Sequence, residues 1–171
     1  MANETQPVPA YAGFWKRLYA YMIDQSIIQL VVLVLLSPWI YSGYSQIFAN
    51  GLQALPDPSV IESYVTTVVP AIFLAQVVIG TLYGTWLEGG EMSATFGKRH
   101  CKIKVADLEG GGISYSAAFG RNLAINVVSG LVNVNFLWFL LLLIPCLTPL
   151  ATAKRQTVYD MALKCVVVRT A

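Results

Sequence analysis

The segment from Tyr64 to Leu87 is 24 residues long and contains no Asp, Glu, Lys or Arg. As a helix it would reach about 36 Å, more than the roughly 30 Å hydrocarbon core of a bilayer. A second run of the same length, Leu18 to Tyr41, holds a single charged residue, Asp24. Two such runs leave too little polar chain to cover them in water. The composition agrees: 56% of the 171 residues are hydrophobic and 12% are charged, against roughly 25% charged in an ordinary soluble domain. Mean hydropathy is +0.61. A free cytosolic enzyme is therefore disfavoured. Disorder is excluded, because it requires low hydrophobicity and high net charge. The length suits one domain, and the expectation is a small integral membrane protein.

The flanks of these runs fit a bilayer. Trp15 and Tyr19 at one end of the first run, and Trp39, Tyr41 and Tyr44 at the other, are placed as interfacial anchors. Pro38 is expected to end or kink that helix. In the second run Pro70 lies near the start, and Tyr83 and Trp86 mark the far end. All 11 Lys and Arg fall before Leu18, within Glu88–Arg121, or after Ala153. The loop Ser42–Ser63 has none. Positive residues in short loops stay inside, so the N-terminus, the segment 88–121 and the tail 154–171 are expected in the cytoplasm, with the loop 42–63 outside. Residues 1–15 are read as a cytoplasmic tail, since no basic segment precedes a short apolar core as in a cleaved signal peptide. Residues 16–171 form one membrane domain in a bacterial inner membrane.

A third apolar stretch, Leu123–Ala153, then has cytoplasmic flanks on both sides. Two crossings need about 40 residues and a turn, and only 31 are present. A re-entrant or short tilted hairpin is expected, turning at Val132-Asn133-Val134-Asn135, with its irregular apex buried against protein. The alternative is an in-plane helix from Tyr115 to about Ser129 followed by a single span. Cys101–Asp107 and Leu163–Val168 alternate polar and apolar residues, and Glu109-Gly110-Gly111-Gly112 supplies a turn. Both segments read as short strands, and pairing them would bring the two ends of the third region to one side.

The motifs Ala12-Gly13-Phe14-Trp15-Lys16-Arg17-Leu18 with Tyr21-Met22-Ile23-Asp24, Ala94-Thr95-Phe96-Gly97-Lys98-Arg99 continuing to Gly110, and Arg121-Asn122 with Lys154-Arg155-Gln156-Thr157-Val158-Tyr159-Asp160 cover nearly the whole chain in order. This pattern resembles the RDD family of small membrane proteins. The family is named for one Arg and two Asp, which the resemblance places at Arg17, Asp24 and Asp160. Phe96 departs from the commoner Leu, and Cys101-Lys102 is polar where the family tends to be apolar. The resemblance implies a membrane protein for which ion or solute transport has been proposed.

Asp24 lies about 10 Å into its span, where a carboxylate costs a few kcal/mol or more. Arg17 shares its face seven residues away, about 10 Å along the axis, so direct pairing is not expected. Asp24 then needs a proton or another donor: Arg121, His100 or an Asn of the third region. It reads either as a proton or cation site or as part of a structural ion pair. Gln25 and Gln29 form a polar stripe facing protein or a water-filled cavity. Gly80 and Gly84 form a GxxxG spacing for close helix packing, within one chain or between two. Thr157 and Asp160 fit a capping box, and Asp160 could also pair with Arg17 or Arg99. Lys98, Arg99, Lys102 and Lys104 are expected to contact lipid headgroups, because the phosphate-loop pattern around Gly97-Lys98 is incomplete. Three cysteines without CxxC spacing indicate neither a disulfide framework nor a zinc site. No enzyme activity, cofactor, metal or nucleic-acid partner is expected.

The fold class expected is an all-α membrane protein: two full transmembrane helices and a short third/fourth helical hairpin, with a small cytoplasmic β element. Two functions stay open, a small cation/proton transporter and a non-transporting scaffold or accessory subunit of a larger membrane complex. The partners are the lipid bilayer and a second copy or another membrane protein.

Overall fold

A computed structural model describes residues 10–48, 57–134 and 147–170. The chain runs α1 (Phe14–Ile47), α2 (Pro58–Gly89), α3 (Phe96–His100), β1 (Ile103–Asp107), α4 (Tyr115–Val134), α5 (Val158–Ala162) and β2 (Cys165–Arg169). A further helical turn covers 147–151.

α1 and α2 are antiparallel, with Asp24 bonded to Tyr83, Gln25 to Gln76, and Gly43 against Tyr64. Both are longer than the apolar runs that nucleate them. α1 continues through Pro38 to Ile47, so the proline does not end the helix. The reason is local: Ser37 Oγ donates to the Val34 carbonyl at 2.9 Å, the carbonyl that Pro38 leaves without an amide donor. Hydroxyl side chains commonly restore such bonds in membrane helices. α2 starts on a preorganised N-terminus. Asp57 caps it by accepting from the Ser59 amide, and a proline follows at the first helical position. It continues past Leu87 and so includes Glu88.

α4 lies antiparallel along α2. Asn122 packs on Gly84 and Asn126 on Gly80, while Tyr115 meets Gly89 and Gly130 meets Phe73. It begins eight residues before the third apolar run and continues through Val134. The turn expected at Val132–Asn135 is therefore misplaced, since helical propagation carries the chain past Val132 and Asn133. Residues 135–146, including Asn135, lie outside the described residues. The return of the chain is nevertheless visible at its ends. Val134 is about 20 Å along α4 from Arg121, yet Arg121 Nε donates to Asp160 Oδ1 at 2.7 Å. Both ends of the third region thus meet at the same end of the bundle.

That end carries the sheet. β1 and β2 pair antiparallel from Ile103↔Arg169 to Asp107↔Cys165, as the alternating patterns predict. Tyr11 bridges Val168, and the Ala12 amide donates to the Val167 carbonyl, so the chain before α1 extends the sheet edge. Ala12, Ile103, Val105, Cys165 and Val167 form its buried core with Ala118 of α4.

α1 and α2 are long and apolar enough to cross a membrane, and only 22% of the most apolar 18-residue window of each is buried. A soluble core helix would bury most of it. Leu30, Leu33, Val34 and Leu35 of α1, and Leu74, Val78 and Leu82 of α2, face outward. Tyr19 and Trp39, both exposed, stand about 30 Å apart along α1, the thickness of a hydrocarbon core.

Candidate functional site

Three helix faces converge at the sheet end, each built on near four-residue spacing. α1 contributes Ala20, Asp24, Ile28 and Val32, and α2 contributes Gln76, Gly80, Gly84 and Glu88. α4 contributes Ala118, Asn122 and Asn126. Gly80 and Gly84 act within one chain: a Cβ on either would fall inside the side chain of Asn126 or Asn122. Glycine at these two positions lets α2 and α4 approach until an amide side chain fills the gap.

Glu88 and Asp160 are both fully buried and are joined through one guanidinium. Arg121 Nη1 donates to Glu88 Oε2 at 2.8 Å, while its Nε donates to Asp160 Oδ1 at 2.7 Å. Arg17 closes the other side of Asp160, with Nη1 2.9 Å from Oδ2. Lys98 pairs with Glu88 Oε1, and Asn122 Nδ2 donates to Oε2 at 3.0 Å. The result is a chain of alternating charge, Arg17–Asp160–Arg121–Glu88–Lys98, that ties α1, α2, α3, α4 and α5 together. Arg17 also donates to the carbonyls of Ala12 and Val167, which locks the sheet to α1.

Asp160 has a second task. Its carboxylate accepts from the Thr157 amide at 3.2 Å and the Thr157 hydroxyl accepts from the Asp160 amide at 3.2 Å, the expected capping box. Burial alone would raise its pKa, but the charges of Arg121 and Arg17 prevail and hold it well below the usual carboxylate range. Burial first, and then the Asp160 charge, push the Cys165 thiol up to about 11.

Asp24 is solved differently from the expectation. None of Arg121, His100 or Asn126 bonds it, and the side chains of Asn133 and Asn135 lie outside the described residues. Tyr83 Oη and the Gly97 amide donate to Oδ1 at 2.7 and 2.8 Å, and Thr95 Oγ1 donates to Oδ2 at 2.5 Å. Three neutral donors, two of them from the Thr95–Gly97 entrance to α3, take the place of a cation. Gly97 is required, because a Cβ there would collide with the Ala20 carbonyl and the Asp24 carboxyl. As expected, Arg17 and Asp24 do not pair.

Other expectations are corrected. Lys98 is not a headgroup ligand, since its side chain is buried on Glu88; the helical turn of α3 swings it inward, while Arg99 and Lys102 remain exposed and Lys104 is half-buried. Arg99 lies over the Phe96 ring, not on Asp160. Gln29 is exposed, because the buried stripe of α1 follows 20, 24, 28 and 32, whereas Gln25 does bond Gln76 at 3.3 Å. Glu88 was missed. It directly follows the uncharged run, so it reads as a flank. The signal was its spacing of four and eight residues from Gly84 and Gly80.

Beside the charges lies a cavity of about 150 Å³, with Tyr21, Asp24, Gln25, Asn126 and Ser129 in its wall. Tyr21 Oη donates to Ser129 Oγ at 2.6 Å, while Asn126 Oδ1 has no donor among the described residues. Among the described residues no group of three or more His, Cys, Asp or Glu could hold a metal ion.

The arrangement of Arg17, Asp24 and Asp160 around a shared end can be set beside known proteins. The sequence pattern of the RDD family matches residues 11–164. The chain belongs to the RDD family. It is 28% identical over 125 residues, 71% of this chain and 79% of the relative, to the uncharacterized protein YxaI of Bacillus subtilis (strain 168). No solved structure matches it. RDD proteins are generally membrane proteins, which agrees with the two long apolar helices of this RDD chain.

Proposed function

We propose that the chain is an integral protein of the bacterial inner (plasma) membrane, with both termini and the charged end in the cytoplasm and the loop 42–63 outside. The distribution of Lys and Arg supports this orientation, since all 11 belong to segments at the sheet end and none to that loop. Within the membrane the bundle serves as a non-catalytic scaffold or accessory subunit, presenting its apolar faces to lipid and to a second copy or another membrane protein.

One observation carries this reading: the three buried carboxylates among the described residues are all committed. Glu88 and Asp160 are held by Arg121, Lys98 and Arg17, and Asp24 by Tyr83, Thr95 and Gly97. A cation carrier must free carboxylate oxygens in every cycle, and here that would strip α3 of its anchor on α1. A second reading, cation/proton exchange through Asp24, is favoured by the adjoining cavity and by Asn126 Oδ1, which has no donor among the described residues.

Proteoliposomes separate the two. The scaffold reading expects wild-type vesicles to match empty ones in cation-driven proton movement, and Asp24→Asn to reduce the yield of folded protein. Cation-driven proton flux that Asp24→Asn abolishes in a still-folded protein would establish the carrier instead.

A further inference from the structure

We propose that a groove at the start of α1 binds the phosphate group of an anionic phospholipid, an inference that rests on the membrane reading above. The groove holds about 380 Å³ between the first turn of α1, residues 149–150 and the end of β2. Its lining includes the cations Lys16, Arg155 and Arg169 and the apolar side chains of Trp15, Pro149 and Leu150. All three cations are exposed. None forms an ion pair with a carboxylate among the described residues, in contrast to Arg17, Lys98 and Arg121 at the same end of the bundle.

Three like charges gathered around one groove repel one another, and an anion between them relieves that repulsion. The backbone adds to the same field. Gly13 offers no capping side chain to α1, so the first-turn amides have no partner within the helix. The Arg155 guanidinium reaches over this start: a Cβ on Gly13 would lie 3.3 Å from its Nη1. Arg and Lys gathered at a membrane surface recognise anionic headgroups through their phosphate oxygens.

The apolar part of the lining decides between a lipid and a soluble phosphate. Trp15 is 77% exposed and Leu150 67% exposed, which a free anion would leave unused. A phospholipid brings acyl chains to cover them. Trp15 and Tyr19 also lie where an interfacial aromatic belt belongs, so the groove stands at headgroup depth. This set is distinct from Arg99, Lys102 and Lys104, which contribute nothing to the groove.

The test uses the full chain purified from nanodiscs of mixed phosphatidylglycerol and phosphatidylcholine, with retained lipids counted by native mass spectrometry. Wild type is expected to keep phosphatidylglycerol in preference to phosphatidylcholine, and millimolar inorganic phosphate should not displace it. Lys16→Gln, Arg155→Gln and Arg169→Gln should each lower the preference about fivefold, and the triple variant should lose it. Lys102→Gln/Lys104→Gln should keep it. Lys16, Arg155 and Arg169 are exposed and outside the buried charge chain, so circular dichroism should be unchanged. Retention by the triple variant at the wild-type level would overturn the proposal, as would equal displacement by inorganic phosphate, which would assign the groove to a soluble anion. Wild type that inserts into the discs without headgroup preference sinks this inference alone. Wild type that fails to insert sinks the membrane reading with it.

Discussion

Arg121 sits between two carboxylates that have no access to water, so its loss leaves buried charge uncompensated. Arg121→Met would leave Glu88 without its guanidinium and Asp160 with Arg17 as its one cation among the described residues, and breaking a buried pair from one side costs about 3–5 kcal/mol. The expected result is loss of most folded protein from detergent extracts, read by size-exclusion chromatography. Asp160 makes the protein sensitive to acid. Its folded pKa is lowered, so its stabilisation is complete above the ordinary carboxylate value near 3.9 and disappears as pH falls through the lower, folded value. Wild type should hold its stability down to about pH 4 and lose it below, whereas Asp160→Asn should be less stable throughout and lack that part of the acid dependence. Unfolding curves from pH 7 to pH 2 check this. Cys165 is buried, and with its thiol at about 11 roughly one in a thousand is ionised at pH 8. Maleimide should therefore modify it only after unfolding, which peptide mass spectrometry can follow.

Among the elements, the α2–α4 contact depends most on two missing side chains. Gly84→Leu would drive a branched side chain into Asn122 and disturb its bond to Glu88. Overpacking of this kind costs about 1–3 kcal/mol, and a lowered melting temperature in detergent is the expected readout. Ser37→Ala should be milder. It removes the donor to the Val34 carbonyl beside Pro38, worth about 1 kcal/mol, and leaves α1 in place. α3 shows how a five-residue helix with little stability of its own is held: its entrance is bonded to the Asp24 carboxylate of a much longer helix. The lesson for reading such chains is that an acidic residue inside an apolar run can be answered by backbone and hydroxyl groups from a neighbouring loop. Spacing along its own helix does not reveal that partner.

For the molecule as a whole, polarity is divided by position. One end holds the sheet, the buried charge chain and every Lys and Arg-bearing segment, while α1 and α2 carry apolar faces away from it. The proposed orientation puts that end in the cytoplasm. A green fluorescent protein fused after Ala171 should fluoresce, and a cysteine placed at Ser42 should react with a membrane-impermeant reagent added from outside. A dark fusion or a protected Ser42 position would reverse the assignment.

The two long helices, the strand pair and the family were all legible from the amino-acid order, because hydrophobic length, alternation and motif spacing are local properties. Even the capping box at Thr157 and Asp160 is a pattern within four residues. Glu88 joined to Arg121, Lys98 turned inward, and Asp24 bound by Tyr83, Thr95 and Gly97 are contacts between residues ten to seventy-three positions apart. Sequence order names the charges that need partners in an apolar bundle. Only the packing of helices against one another decides which partner comes within a hydrogen bond's reach, since that depends on where glycines allow two backbones to close.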